Sequence, residues 1–166
     1  QFRDLGAAVI RKLLLGLLLL VVAGLIFTVT VLPGLFEKQT NVVTDEPLPT
    51  IRADAKALHA TLQIADLHGD TLLWKRDLLD RASRGQIDLP RLEAGNVALQ
   101  IFSSVSKTPK GQNYDSNSAD TDNITLLTIA QLQPPRTWTS LFERSLWHAE
   151  KLDRAAASSR GQLRVI

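Results

Sequence analysis

Two hydrophobic patterns divide this chain. From Leu13 to Leu32 (LLLGLLLLVVAGLIFTVTVL) no residue is charged and every face of a helix would be apolar. At about 1.5 Å per residue, twenty residues cover the roughly 30 Å hydrocarbon core of a bilayer, so the run predicts a transmembrane helix over 13–32. Gly16, Gly24, Thr28 and Thr30 are the only softening, and membrane helices tolerate Thr because its hydroxyl bonds back to the helix backbone. A cleaved signal peptide has a shorter apolar region, about 7–15 residues, followed by a small-x-small cleavage site. This run is longer and ends at Pro33-Gly34 without such a site, which predicts an uncleaved signal anchor.

The remaining pattern is that of a mixed α/β domain. Residues 33–49 are polar and punctuated by proline, the composition of a linker. Thr50 is placed to cap a short helix through about Leu62, with Ile51, Ala55, Leu58 and Leu62 on one face. Ile64–His68 predicts a strand, Gly69 a break, and Thr71–Ser83 a helix. The stretch GQIDLPRLEAGN predicts a loop with one helical turn capped by Asp88. Val97–Val105 (VALQIFSSV) has the continuous apolar, β-rich character of a buried strand. Ser106–Asp122 is a long polar loop, and two helices are expected over about 122–133 and 137–157, separated by Pro134-Pro135. The final GQLRVI reads as the opening of a further strand. Strand, helix, strand and helices in this order point to parallel βα units.

Charge adds direction to this picture. Arg3, Arg11 and Lys12 against Asp4 precede the apolar run, whereas Glu37, Lys38, Asp45 and Glu46 follow it. Positive charge stays on the cytoplasmic side, so residues 1–12 are expected inside and everything after Pro33 in the periplasm or extracellular space. The net charge of +2 is slight and partly juxtamembrane, with no basic stripe interleaved with aromatics, which argues against nucleic acid as a partner. No cysteine is present, so disulfides, thiolate metal sites and a thiol nucleophile are excluded. The chain starts at Gln1 rather than Met and stops at Ile166 without a turn or tail, the expectation for a piece of a longer protein.

The candidate chemistry lies in Ile64–Trp74 (IADLHGDTLLW). Side chains two apart on a strand share a face, so Asp66, His68 and Asp70 are expected together at the strand's C-terminal end. In βα folds that end lines the active-site mouth. An imidazole and a carboxylate at i and i+2 suit zinc or a similar divalent ion. A strand-end cap or ion pair is the alternative reading of the same three residues.

IADLHGDTLLW, followed by IDLPRLEAGNVALQIFS, resembles the membrane dipeptidase (renal dipeptidase) family of zinc peptidases. The resemblance is carried by Asp66, His68 and Asp70, then by Asp88, Leu89, Pro90, Arg91, Leu92, Ala94, Gly95, Val97, Gln100 and Phe102. It spans Ile64 to about Ser104 well and extends loosely to Ile166. The resemblance implies a (β/α)8 TIM-type barrel, of which 50–166 would be the first part. It also implies two zinc ions, with His68 and Asp70 as ligands of one, and hydrolysis of dipeptides by a metal-activated hydroxide. A bridging glutamate, two histidines for the second zinc and the acid that protonates the leaving amine lie on later strands in the family, so these 166 residues alone are expected to be inactive. Gly69 stands where many members carry Asn, and the expected anchor is an N-terminal helix rather than the C-terminal lipid of the renal enzyme. Related amidohydrolase barrels usually open with His-x-His, against which Asp70 argues; a non-catalytic membrane protein with a degenerate barrel start is the rival of another class.

Other candidates carry less. His59 and His148 are expected to be surface or satisfied helix residues, and Trp74 a core residue rather than a pocket wall. Asn123-Ile124-Thr125 is a glycosylation sequon, Pro134-Pro135-Arg136 a helix break, and Asp115, Asp120 and Asp122 lack the glycine and glutamate of a calcium loop. The charge bias predicts that a reporter active only in an oxidising or periplasmic compartment works when fused after Asp45. Equal activity of a cytoplasm-only reporter at that point would overturn the orientation.

Overall fold

The computed structural model describes residues 2–44 and 46–166. Asp45, one of the charges behind the expected topology, lies outside them, as do the side chains of Arg3 and Asp4. Helix α1 (Phe2–Thr40) is apolar through its middle, and its segment Val9–Thr40 is long and apolar enough to cross a membrane. The threonines behave as expected: Thr28 Oγ1 donates to Gly24 O at 2.9 Å and Thr30 Oγ1 to Ile26 O at 2.7 Å.

Pro33 does not end the helix, and the expected linker is helical as far as Thr40. Proline has no N–H, so the carbonyl four residues earlier, that of Val29, loses its helical donor. Lys75 Nζ lies 3.3 Å from that carbonyl and supplies one from outside the helix. The following turns of α1 are held in the same way. Gln131 Nε2 donates to Pro33 O at 3.2 Å, Arg76 Nε pairs with Glu37 Oε1 at 2.6 Å, and Arg84 Nη1 donates to Asn41 O at 2.8 Å. Phe36 packs on the cluster of Leu73, Ile124 and Leu127, together with Trp74 and Val105. The apolar helix therefore runs directly into the domain's core.

After the short helix α2 (Ala53–His59), strand β1 (Ile64–Gly69) pairs in parallel with β2 (Val97–Phe102). Parallel strands need a crossover, and this one differs from the single helix expected over Thr71–Ser83. Only Thr71–Leu73 forms a 3-10 turn, and the chain then loops to Asp88. Local polar groups compete with the helix here, as where the Asp77 carboxylate accepts the Leu79 N–H at 2.9 Å. The loop folds around the Arg76 guanidinium so closely that a Cβ on Gly85 would collide with it, and Gly85 has a left-handed φ of 76°.

The resemblance-bearing IDLPRLEAGN segment has a structural logic of its own. Asp88, 2% exposed, caps helix α3 (Leu89–Ala94) by accepting the Arg91 N–H at 3.0 Å. Its other oxygen accepts the Ala82 N–H at 3.2 Å and pairs with the Arg91 guanidinium, which in turn donates to Ala82 O at 2.7 Å. One aspartate thus ties the crossover loop to the helix leading into β2.

Helices α4 (Ile124–Ala130) and α5 (Leu141–Ser158) flank a 3-10 turn at Pro135–Thr137. Ser140 caps α5 by accepting the Glu143 N–H at 3.2 Å. Arg144, 1% exposed, places all five of its N–H donors: on Thr137 O, Ser106 O, Asp122 Oδ2, Thr125 Oγ1 and Trp138 O, at 2.6–2.9 Å. Burial alone would raise the Asp122 pKa, but the Arg144 hydrogen bond and charge, with the Ile124 N–H and the Thr125 hydroxyl, hold it below the usual carboxylate value.

Two expectations about strands are corrected. The GQLRVI segment is turn and irregular chain, in which Ser159 Oγ accepts the Leu163 N–H at 3.0 Å. The second strand is not buried: Leu99 and Ile101, like Leu67 on β1, are exposed because no layer among the described residues covers the pair. The fold is a mixed helix–strand domain on a long apolar helix, and a closed barrel is not evident in its two strands.

Removing one partner of a buried charged network leaves the other uncompensated and costs about 3–5 kcal/mol. Arg144→Ala is expected to lose about that much, and Arg144→Lys a large part of it, because an ammonium offers only three donors. Thermal unfolding of the detergent-solubilised chain measures both; a melting temperature unchanged in Arg144→Ala would contradict the role given to this residue.

Candidate metal centre

Strand β1 carries His68 near its C-terminal end and Asp70 follows the strand by one residue, so two of the three residues expected to share a face meet there. His68 Nε2 lies 3.4 Å from Asp70 Oδ1, with the two side chains 75% and 44% exposed. Their surroundings separate them from an ordinary strand-end cap. Asp70 occupies the N-cap position of the 3-10 turn, yet its side chain makes no capping bond. Its Oδ1 is turned inward, although the side chain as a whole is half-exposed, and has no hydrogen-bond partner.

His68 is oriented from the neighbouring strand. Ser103 follows β2 directly, and its N–H donates to Gly69 O at 2.8 Å, fixing the two strand ends together. Its Oγ lies 3.2 Å from His68 Nδ1. A proton on Nδ1 donated to that hydroxyl leaves the Nε2 lone pair facing Asp70, the tautomer a metal ligand needs. Asp66 does not join the pair as a free carboxylate, because its Oδ1 accepts the His68 N–H at 3.1 Å and shapes the strand end. Gly69 sits in close quarters: a Cβ would come 2.6 Å from Ile87 Cδ1 and 2.8 Å from Gln100 Nε2, so a larger residue requires both to shift.

Two ligand-type groups are what these residues bring together. Among the described residues, no group of three or more His, Asp or Glu side chains is arranged to hold a metal ion. The donor set fits part of a zinc shell, one imidazole nitrogen and one unpartnered carboxylate oxygen.

His148 departs from expectation. It is 1% exposed rather than on the surface, and it is not satisfied: Nδ1 lies 2.9 Å from Ser104 Oγ, while Nε2 is buried without a partner. Burial lowers its pKa to about 4, helped by the charges of Lys151 and Arg144 and opposed by Asp70. His148 follows Arg144 by one turn, so both buried polar residues lie on the same face of α5. The sequence carries no sign of this, because a charged residue and a histidine at helical spacing normally mark a solvated face. Ser103 and Ser104 give no signal in the sequence for a different reason. Their place at the end of β2 is legible, but their ring-nitrogen partners depend on tertiary packing. His59 is exposed at the end of α2, as expected, and Trp74 is half-buried, packed on the core cluster while also lining a cavity.

Compared with protein-family models, curated proteins and solved structures, the chain matches none.

The His148 environment sets a pH dependence. The folded pKa is depressed below the ordinary 6.5, so the unfolded chain takes up the proton first as pH falls. The stabilisation is complete above pH 6.5 and is lost progressively down to about pH 4. Across that window the wild type is expected to lose up to about 3 kcal/mol more than His148→Gln, which cannot titrate. Parallel melts of the two proteins over this range measure the difference; superimposable pH profiles would contradict the assignment.

Proposed function

We propose that this chain carries the membrane anchor and the first metal ligands of a zinc-dependent dipeptidase. The single observation carrying the reading is the His68–Asp70 pair: 3.4 Å apart, accessible, at the C-terminal end of a parallel strand, with an inward carboxylate oxygen that nothing else uses. Parallel strands are ordinarily covered on both faces, and the exposed Leu67, Leu99 and Ile101 support a larger sheet, a (β/α)8 barrel in this reading. The charge bias of the sequence on either side of the apolar run supports an orientation with the catalytic part outside the cytoplasm, in the periplasm or extracellular space.

Within the proposed site each residue has a separate task. His68 and Asp70 would hold one of two zinc ions, and the Ser103 hydroxyl orients the ring and can accept the Nδ1 proton in the tautomer that leaves Nε2 free. Asp66 stiffens the strand end through the His68 N–H. When bound, the metal pair supplies a nucleophile at neutral pH and polarises the scissile carbonyl of a dipeptide. The remaining ligands and the leaving-group acid come from later strands in the family resembled. An ion pair of purely structural role is the competing reading of the same 3.4 Å contact, and it predicts no metal.

A complete structural zinc site is worth about 10–16 kcal/mol, so two ligands alone hold the ion no better than micromolar. In the full-length protein that supplies the later strands, His68→Ala is expected to lower the zinc-to-protein ratio by one ion and to remove nearly all dipeptide hydrolysis. Asp70→Asn is expected to retain more metal, since its amide oxygen still reaches the ion, but with weaker affinity because a compensating charge is gone. Elemental analysis decides between the readings: an unchanged zinc ratio in His68→Ala would sink the ligand assignment.

A further inference from the structure

The contacts that seat α1 on the domain also fix which part of the domain meets the membrane. Lys75 reaches the carbonyl of Val29 and Gln131 that of Pro33, the level at which the uncharged run of α1 ends. Both residues line the same cavity of about 550 Å³, between the loop after the first 3-10 turn and helix α5. The cavity's rim is therefore at headgroup depth if α1 crosses a bilayer. Because α1 is one continuous helix docked over its last turns, the domain cannot lift the cavity away from that depth without breaking those contacts.

The cavity's chemistry suits that depth. Trp74 and Trp147 line it with Lys75, Lys151 and Arg154, and aromatic rings with long cationic side chains are the residues that settle at membrane–water interfaces. Arg154 stacks over the Trp147 ring at 4.5 Å. Lys151 Nζ is held by Leu72 O at 2.7 Å and Trp74 O at 2.6 Å; burial lowers its pKa to about 8, which leaves it cationic at neutral pH. Arg76 also lines the cavity but is neutralised by Glu37. Against the remaining cations stand Asp77 in the lining and Glu150, 3.7 Å from Arg154. The balance is positive. Ile129, exposed on the last turn of α4, and Leu132 beside it place apolar surface next to Gln131.

We infer that this cavity binds the headgroup of an anionic phospholipid in the leaflet on the domain's side, so that the domain sits against the bilayer rather than swinging on a tether. The inference rests on α1 crossing a bilayer and is independent of the metal reading.

The test uses the full chain in nanodiscs of phosphatidylcholine with and without phosphatidylglycerol. Lipids retained by the protein are read by native mass spectrometry, and tryptophan quenching by headgroup-nitroxide lipid gives depth. The wild type is expected to retain phosphatidylglycerol over phosphatidylcholine, and Arg154→Glu or Lys75→Glu to cut that enrichment by about fivefold or more, since one cation at an anionic surface contributes about that factor. Arg154 is half-exposed and outside the α1 contacts, so its variant decides the matter if Lys75→Glu fails to fold. Trp74 and Trp147, each retained as the sole tryptophan, should be quenched more strongly than Trp138, which does not line the cavity and whose indole N–H is engaged by Gln133 O. Failure to enter nanodiscs would remove the premise that α1 spans. With the chain incorporated, equal lipid retention in wild type and Arg154→Glu, or equal quenching of the three tryptophans, overturns the headgroup site itself.

Discussion

The domain is organised around one buried guanidinium. Arg144 binds the loop that leaves β2 through Ser106, helix α4 through Asp122 and Thr125, and the turn before α5 through Thr137 and Trp138. A hydrophobic contact does not do this work, because it has no direction; five N–H groups in a rigid plane hold three segments at fixed angles to α5. Burying such a charge is unfavourable unless every donor is used, and here every donor is used. The consequence reaches the candidate site. With the post-β2 loop held, Ser103 stands beside His68, and Ser104 stands beside His148 one turn along α5.

A second constraint joins this domain to the apolar helix. Pro33 leaves the Val29 carbonyl without its helical donor, and that vacancy is filled by Lys75 from the loop that follows the candidate site. The Arg76–Glu37 pair, 10% and 13% exposed, makes the next contact along the helix, and Phe36 completes the core. A short stretch of chain, Asp70 to Arg76, thus carries a candidate metal ligand at one end and the anchor contacts at the other. The apolar helix and the candidate site are parts of one packed unit, because the same short stretch of chain contacts both.

Some of this was legible beforehand because it depends on neighbours in sequence. The apolar run needs only its length and lack of charge, and the Thr28 and Thr30 hydroxyls need only the carbonyls one turn back. The Asp88 cap needs only a backbone N–H three residues on. The pairing of His68 with Asp70 follows from the two-residue period of a strand and the turn that ends it. Each is a local rule, and each held.

What the sequence could not determine was decided by contacts between distant segments. The helix continues through Pro33 because Lys75, Gln131 and Arg76, far along the chain, satisfy or pair with its last turns. The stretch after Leu73 loops instead of forming a helix because the Asp77 carboxylate takes the Leu79 N–H locally while Arg76 reaches across to Glu37. The β2 residues read as a buried strand, since apolar composition is local, but burial requires a covering layer, and none among the described residues provides it. His148 read as a surface residue because helical spacing gives a face and not its depth; the guanidinium one turn before it draws that face inward. Local chemistry set the apolar helix, the Asp88 cap and the juxtaposition of His68 with Asp70, while long-range hydrogen bonds and packing set where elements end and which polar groups are buried.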